Sequence, residues 1–163
     1  MLDLIPDAFV DVDTRFLEPA AGTGNFLVAI LERKIAAIDP AMTVEAHEFA
    51  VLRCLASIYG IDISDENIQE ARARMLAIAS AAATFDGVAA SEAFVRAAKT
   101  ILDTNIVVGD TLNAAYQIVF VEYTPEAGER FKRAPSELDP PTVDLFYEPP
   151  TPLSTVHYSE LGS

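Results

Sequence analysis

The stretch that decides the fold reads Phe16-Leu17-Glu18-Pro19-Ala20-Ala21-Gly22-Thr23-Gly24-Asn25-Phe26-Leu27. A short apolar run ends in an acid and a proline, a turn with two glycines follows, and an apolar helix begins directly after the turn. Glycine tolerates positive φ and has no Cβ, so a backbone of this composition can come close to a ligand. The helix behind the turn presents unpaired N–H groups and the positive end of its dipole. The stretch therefore predicts a cradle for a nucleotide-type ligand.

Strands and helices alternate after this turn. The patterning predicts strands at residues 15–18, 58–63 and 105–110, and helices at residues 25–38, 44–56, 65–78 and 89–103. Such alternation implies an α/β fold, in which a mostly parallel sheet is flanked by helices. In the first helix, Glu32, Arg33 and Lys34 are expected to face solvent.

The character of the chain changes after residue 110. A strand at 117–123 is predicted to pair with residues 130–133 as a C-terminal hairpin. Seven of the ten prolines lie from Pro125 onward. We therefore predict a domain over residues 1–133 and a Pro-rich tail over residues 134–163 that is extended or partly disordered.

Composition narrows the classes of function. The 163 residues are enough for one domain with a core. The net charge of −14 repels phosphate backbones, so the chain alone is a poor nucleic-acid clamp. The single cysteine, Cys54, rules out an internal disulfide and is expected to be a packing residue. With neither a signal peptide nor an apolar stretch long enough for a membrane span, the expected location is cytoplasmic.

Three predicted strands end in acids, namely Glu18, Asp62 and Asp110. The carboxyl ends of parallel strands line the binding crevice of an open sheet, so three acids beside a glycine turn favour a ligand site. The alternative is that each acid forms a turn or caps a helix. A dinucleotide site fits poorly, because Leu27 stands where a third small residue is required and Glu18 would face a pyrophosphate.

The glycine stretch closely resembles the cofactor loop of N6-adenine DNA methyltransferases of restriction–modification systems, which reads D/E-P-A-C/A-G-S/T-G-x-F. Tyr59-Gly60-Ile61-Asp62-Ile63-Ser64 resembles the second motif of that family, and Asn105-Ile106-Val107-Val108-Gly109-Asp110 resembles the third. The resemblance covers about residues 2–115. It implies a Rossmann-like class I methyltransferase core that binds S-adenosylmethionine and transfers its methyl group to an adenine amino group in DNA.

The resemblance also implies roles for individual residues. Glu18 would lie near the amino group of the cofactor's methionine part. Asp62 would accept hydrogen bonds from the ribose hydroxyls, and Asp110 would accept one from the adenine amino group. Ile63 would pack on the adenine, and the backbone of the turn would pass close to the tail and ribose. Asp39 is a rival for the ribose role, discounted because Pro40 follows it. The implied cofactor-binding set is Glu18, Pro19, Ala20, Ala21, Gly22, Gly24, Asn25, Phe26, Asp62, Ile63 and Asp110, with no metal ligand.

The family's target-base motif, [D/N/S]-P-P-[F/Y/W], has no clear counterpart, and no catalytic residue is assigned. The fourth-strand region, residues 119–125, does not match it. Asp139-Pro140-Pro141-Thr142 lacks the aromatic residue, and Tyr147-Glu148-Pro149-Pro150 has the elements in the wrong order. A front motif rich in Phe, Thr and Pro is also missing, and residues 111–163 carry eight acids against three bases. DNA contact is therefore expected through a partner chain or missing segments.

These gaps leave two alternatives open beside a DNA methyltransferase. One is a non-catalytic cofactor-binding or scaffolding subunit, or a fragment of a larger or split enzyme. The other is a small-molecule methyltransferase. A zinc helix at His47-Glu48 is excluded because Val51 stands where the second histidine is needed, and no P-loop lysine follows the glycines.

Overall fold

A computed structural model describes residues 11–139 and 151–163 of the chain. All but Asp139 of the first proline motif, and all of the second, lie outside the described residues. The strands are β1 (Phe16–Glu18), β2 (Ile58–Asp62), β3 (Ile106–Val108), β4 (Val119–Glu126), β5 (Arg130–Glu137) and β6 (Val156–His157). The helices are α1 (Asn25–Ala36), α2 (Val44–Ala56), α3 (Asp65–Ala82) and α4 (Glu92–Asn105). The α/β class is confirmed.

Three of the helices begin at a hydroxyl cap. Thr43, Ser64 and Ser91 each accept a hydrogen bond from the backbone N–H three residues further on, at the starts of α2, α3 and α4. Ser64 thus caps the helix that follows β2. Helix α1 differs, because it follows Gly24 at φ +84° and has no side-chain cap. The N–H groups at its start are thus not capped by the residue that precedes it.

The parallel sheet has the order β1-β2-β3. Glu18 lies opposite Gly60, and Asp62 lies opposite Val108. All three strands therefore end at the same edge, as the alternation predicted. The segments that follow them meet at this edge, since Gly109 N–H donates to the carbonyl of Asp62 at 3.0 Å.

Helices cover one face of this sheet, and the start of the hairpin packs on the other. Ile58 and Ile106 belong to the large cluster that contains the buried side chains of all four helices. Tyr59 and Ile61 point the other way and cluster with Ile118 and Phe120 around the start of β4. The prediction of a sheet flanked by helices is thus correct for one face only.

The C-terminal part is more ordered than the prolines indicated. Strand β5 runs to Glu137, so the predicted boundary at 133/134 falls inside a strand. Pro125 and Pro135 lie opposite Phe131 and Val121. These pairs alternate with the hydrogen-bonded ones in an antiparallel ladder, so a missing N–H costs no bond between the strands.

The last residues also pack on the domain. Strand β6 pairs antiparallel with β5, with Phe131 opposite Val156, and Tyr158 is buried. Residues 156–160 therefore form part of the folded domain. This pairing has little local signal, because β6 has two residues and its partners in β5 are distant along the chain.

The prediction that Lys34 faces solvent is wrong, because its side chain is fully buried. Its ammonium donates to the carbonyls of Val12 at 2.9 Å and Thr14 at 2.6 Å, and it lies 5.1 Å from the centre of the Phe16 ring. The segment that leads into β1 has carbonyls that need donors, and Lys34 supplies them. Among the described helices, none is both long and apolar enough to cross a membrane.

Candidate functional site

The glycine turn is hydrogen-bonded to the carboxyl edge of the sheet. Ala21 N–H donates to the carbonyl of Ile61 at 2.8 Å, and Gly24 N–H donates to that of Ala21 at 3.0 Å. Gly22 has φ +52°, and a Cβ added there would have no atom within 4 Å. Gly22 is therefore the position at which a ligand can come close to the backbone of the turn.

Gly24 has a different role. Its φ is +84°, and an added Cβ would lie 2.8 Å from the Cβ of Ala71 on α3. A side chain at this position would thus be strained and would collide with the neighbouring helix. Gly24 is required for the packing of α1 on α3, and the sequence-based role in ligand binding is not needed to explain it.

Asp62 joins the turn to the end of β2. Its Oδ2 accepts from Gly22 N–H at 2.8 Å. Its Oδ1 accepts from Ser64 N–H at 2.9 Å and from the side-chain amide of Asn67 at 3.0 Å. These bonds lower the pKa of Asp62, and the bond from Ser64 has the largest effect. The carboxylate is therefore ionised at neutral pH. Because Oδ1 already accepts two hydrogen bonds, Oδ2 is the oxygen that retains a lone pair for a further donor.

The other two acids also accept local hydrogen bonds. Glu18 Oε1 accepts from Ala20 N–H at 3.1 Å. Asp110 accepts from the side-chain amide of Asn113 at 2.8 Å and from the N–H groups of Leu112 and Asn113 at 3.0 Å each. Hydrogen bonds, that from the Asn113 side chain first, lower the pKa of Asp110. All three acids thus form local turns, as the alternative interpretation of them predicts, and their part in a ligand site stays a prediction.

The loop after β3 reaches the glycine turn. The hydroxyl of Thr111 donates to the carbonyl of Pro19 at 3.4 Å. Together with the bond between Ala21 and Ile61, this contact brings the segments of all three acids to one edge. The structure therefore brings the predicted acids together around the turn.

The remaining predicted residues differ in exposure. Pro19, Ala20, Asn25 and Ile63 are exposed, whereas Ala21 is buried in the core. Ile63 is 74% exposed, so its side chain is free to cover a ligand. Phe26 is half-buried and packs against the helical core. A direct ligand contact of Phe26 would compete with this packing.

Two residues of α3 that support the turn were not assigned to the site from the sequence. Asn67 holds Asp62, as described above. Arg74 donates from Nη1 to the carbonyl of Thr23 at 2.7 Å and to Oδ1 of Asn25 at 2.8 Å. The signal in the sequence was their spacing, because Asn67, Ala71 and Arg74 are four and three residues apart and so share one face of α3.

The edge is strongly acidic. The segments 16–26, 58–70 and 106–118 contain no Lys, Arg or His, and their acids are Glu18, Asp62, Asp65, Glu66, Glu70 and Asp110. Arg74 is the cation that contacts the turn through the bonds given above. A cationic or amine-bearing ligand therefore suits this edge better than a polyanion does.

The other acids considered from the sequence, Asp39 and Glu48, lie away from the glycine turn. Asp39 follows α1 and accepts from Ala41 N–H at 2.8 Å, a helix length of roughly 18 Å from the turn. Glu48 is buried and accepts from Ser91 and Tyr158. Within residues 11–139 and 151–163, no three His, Cys, Asp or Glu side chains are grouped as a metal site would require.

A separate cavity of about 280 Å³ lies at the amino end of β1, between the sheet and the hairpin. It is lined by the ion pairs of Asp13 with Arg53 and of Arg15 with Glu122, and by Tyr59. Burial raises the pKa of Tyr59 to about 12. This cavity is remote from the glycine turn and contains none of the predicted site residues.

Comparisons of the chain with protein-family models, with curated proteins and with solved structures found no match.

Proposed function

We propose that this chain has a Rossmann-like class I methyltransferase core and binds S-adenosylmethionine at the glycine turn. The observation that carries the proposal is the bond between Asp62 and Gly22. It places an ionised carboxylate beside a backbone position that is open to a ligand. A vicinal diol, as in a ribose, supplies the donors that such a carboxylate accepts.

The chemistry of the cofactor agrees with the charge of the edge. S-adenosylmethionine carries a sulfonium cation and an ammonium group. Glu18 would accept a hydrogen bond from the ammonium group. Asp62 would accept from the ribose hydroxyls, and Asp110 would accept from the adenine amino group. Ile63, which is exposed beside Asp62, would cover the adenine ring.

The proposed acceptor is an adenine amino group in DNA, and this half of the proposal rests on the resemblance. The acidic edge would repel the phosphates of DNA, so we propose that a basic partner chain or further segments supply the DNA contact in the cytoplasm. A cofactor-binding subunit without catalysis has the same structural support. A small-molecule methyltransferase is the second candidate, and the acidic edge favours it because an amine substrate would be attracted.

Calorimetric titration of S-adenosylmethionine and of its demethylated product tests the cofactor site. The Asp62→Ala variant should bind at least tenfold more weakly, since each hydrogen bond to a charged acceptor contributes roughly 1.5–3 kcal/mol. Asp39→Ala is the matched control, because it also removes a turn-forming aspartate but lies far from the site. Absence of binding to the unmodified chain would contradict the proposal.

Transfer of a labelled methyl group tests the acceptor. The chain is incubated with labelled cofactor and either duplex DNA or a mixture of small amines, alone and together with the proteins encoded beside it. Label in DNA only when a partner is present supports the split enzyme. Label in small amines without label in DNA supports the second candidate, and cofactor binding without any transfer supports the scaffolding subunit.

A further inference from the structure

Three side chains on one stripe of α3 contact the candidate site. Asn67, Ala71 and Arg74 are four and three residues apart, so they share a face of the helix. Arg74 Nη1 donates to the carbonyl of Thr23 and to Oδ1 of Asn25. The guanidinium thereby joins the middle of the glycine turn to the first residue of α1.

The other two members of the stripe reach neighbouring parts of the site. The amide of Asn67 donates to Oδ1 of Asp62. Ala71 fills the space that a Cβ on Gly24 would occupy. One helix face therefore holds both the turn and the carboxylate that accepts from it.

The geometry points to Arg74 as a positioning residue that fixes the glycine turn in its ligand-ready conformation. This inference rests on the proposed function for its ligand, but not for its geometry. A turn with two glycines loses much conformational entropy when it is ordered. A donor that fixes the turn before the ligand arrives removes this loss from the binding step.

Arginine suits this role better than lysine does. Both bonds come from Nη1, whose two N–H groups lie in the plane of the guanidinium, so this one nitrogen reaches two acceptors with a defined angle between them. The two acceptors here are one backbone carbonyl and one side-chain oxygen. Arg74→Lys should therefore keep the charge but hold the turn less firmly.

Arg72 supplies a matched control on the same helix. Its Nε donates to the carbonyl of Ile106 at 2.8 Å, and its Nη2 donates to the carbonyl of Asp103 at 3.0 Å. It thus makes two bonds to backbone carbonyls, as a structural arginine of α3 would, but contacts neither the turn nor Asp62. Comparing Arg72→Met with Arg74→Met therefore distinguishes a general loss of stability from a specific loosening of the glycine turn.

Amide hydrogen exchange, followed residue by residue by NMR, tests the geometry without a ligand. In Arg74→Met, the amides of Gly22 and Gly24 should exchange about tenfold faster, the effect of roughly 1.4 kcal/mol of lost protection. The amide of Ile61 should be unchanged. In Arg72→Met, the two glycine amides should keep their rates. Equal acceleration in both variants, or none in Arg74→Met, overturns the inference.

The affinity for S-adenosylhomocysteine tests the consequence. Arg74→Met should weaken binding about tenfold, Arg74→Lys should weaken it less, and Arg72→Met should change it less than twofold. Weaker binding with unchanged exchange of the glycine amides would show a direct ligand contact and overturn the positioning role. If the unmodified chain does not bind, the proposed function fails, and the exchange experiment alone decides the role of Arg74.

Should Arg74→Met fail to fold, Asn25→Ala removes only one of the two acceptors. The same acceleration of the Gly22 and Gly24 amides, at a smaller size, is then expected. Unchanged rates in this variant and in Arg74→Lys would overturn the inference.

Discussion

Leu27 and Gly60 decide how α1 approaches the sheet. A Cβ added to Gly60 would lie 2.7 Å from Cδ1 of Leu27 and 3.3 Å from Cδ1 of Ile106. In dinucleotide-binding turns, a small residue on the helix permits the close contact with the strand. Here the small residue is on the strand and the large one is on the helix. The departure of Leu27 from the dinucleotide pattern is therefore matched by the glycine opposite it.

This contact predicts the effect of Gly60→Ala. The added methyl group must displace Leu27, which is fully buried, and overpacking of this kind destabilises by roughly 1–3 kcal/mol. Urea unfolding of Gly60→Ala, Leu27→Ala and the double variant would measure it. The double variant should be less destabilised than the sum of the single variants, because Leu27→Ala makes room for the methyl group. Strict additivity would contradict the proposed contact.

Cys54 is a packing residue, as the sequence predicted. Its side chain is fully buried, and burial raises the pKa of the thiol to about 12. Because the thiolate is the reactive species, the folded chain should not react with a disulfide reagent at about pH 8, where an unfolded thiol of pKa about 8.5 reacts readily. Labelling with and without urea checks this. Rapid labelling of the folded chain would contradict the burial of Cys54.

Among the elements, the short C-terminal segment depends on one buried acid of α2. Tyr158 donates to Oε2 of Glu48 at 2.7 Å, and Ser91 donates to the same carboxylate from both its N–H and its hydroxyl. Glu48 is 2% exposed. The carboxylate thus joins α2, the start of α4 and the turn after β6.

Tyr158→Phe should destabilise the fold by roughly 1–3 kcal/mol, because it removes a donor from a buried charged acceptor. Tyr116→Phe is the control, since Tyr116 is 63% exposed and its hydroxyl accepts from the neighbouring Gln117. Urea unfolding followed by circular dichroism would compare the two. A loss of stability of equal size in both variants would contradict the role of the Glu48 bond.

The order of the helices and strands could be predicted from the sequence, because hydrophobic periodicity and hydroxyl caps are local signals. The position of the three acids followed from the rule that parallel strands end at one edge. The contacts of Lys34 and Arg74 could not be predicted, since their acceptors are backbone carbonyls 20 to 51 residues away. Strand β5 continues past the predicted hairpin because Pro135 occupies a position that needs no N–H.

The two ends of the parallel strands belong to two different regions of the protein. The carboxyl edge holds the glycine turn and is acidic. The amino end holds the cavity between the sheet and the hairpin, where two arginines pair with Asp13 and Glu122. The distribution of charge therefore places arginine-containing ion pairs away from the candidate ligand site and leaves that site attractive to cations.

The net charge of −14 predicts how stability depends on salt. Self-repulsion of like charges destabilises the compact state, and the screening length falls from about 30 Å at about 10 mM salt to about 8 Å at about 150 mM. Salt also weakens the ion pairs, but exposed pairs contribute only about 0–1 kcal/mol each. Relief of the repulsion should therefore exceed the loss of the ion pairs.

The melting temperature should accordingly rise by a few degrees as sodium chloride increases over this range. A few degrees correspond to a gain of roughly 1 kcal/mol for a domain of this size. Choline chloride should have the same effect as sodium chloride, because screening depends on ionic strength and not on the identity of the cation. A rise with sodium but not with choline would instead indicate that the acidic edge binds sodium specifically. A fall in both salts would show that ion pairs such as that of Arg53 with Asp13 contribute more to stability than the repulsion among the acids removes.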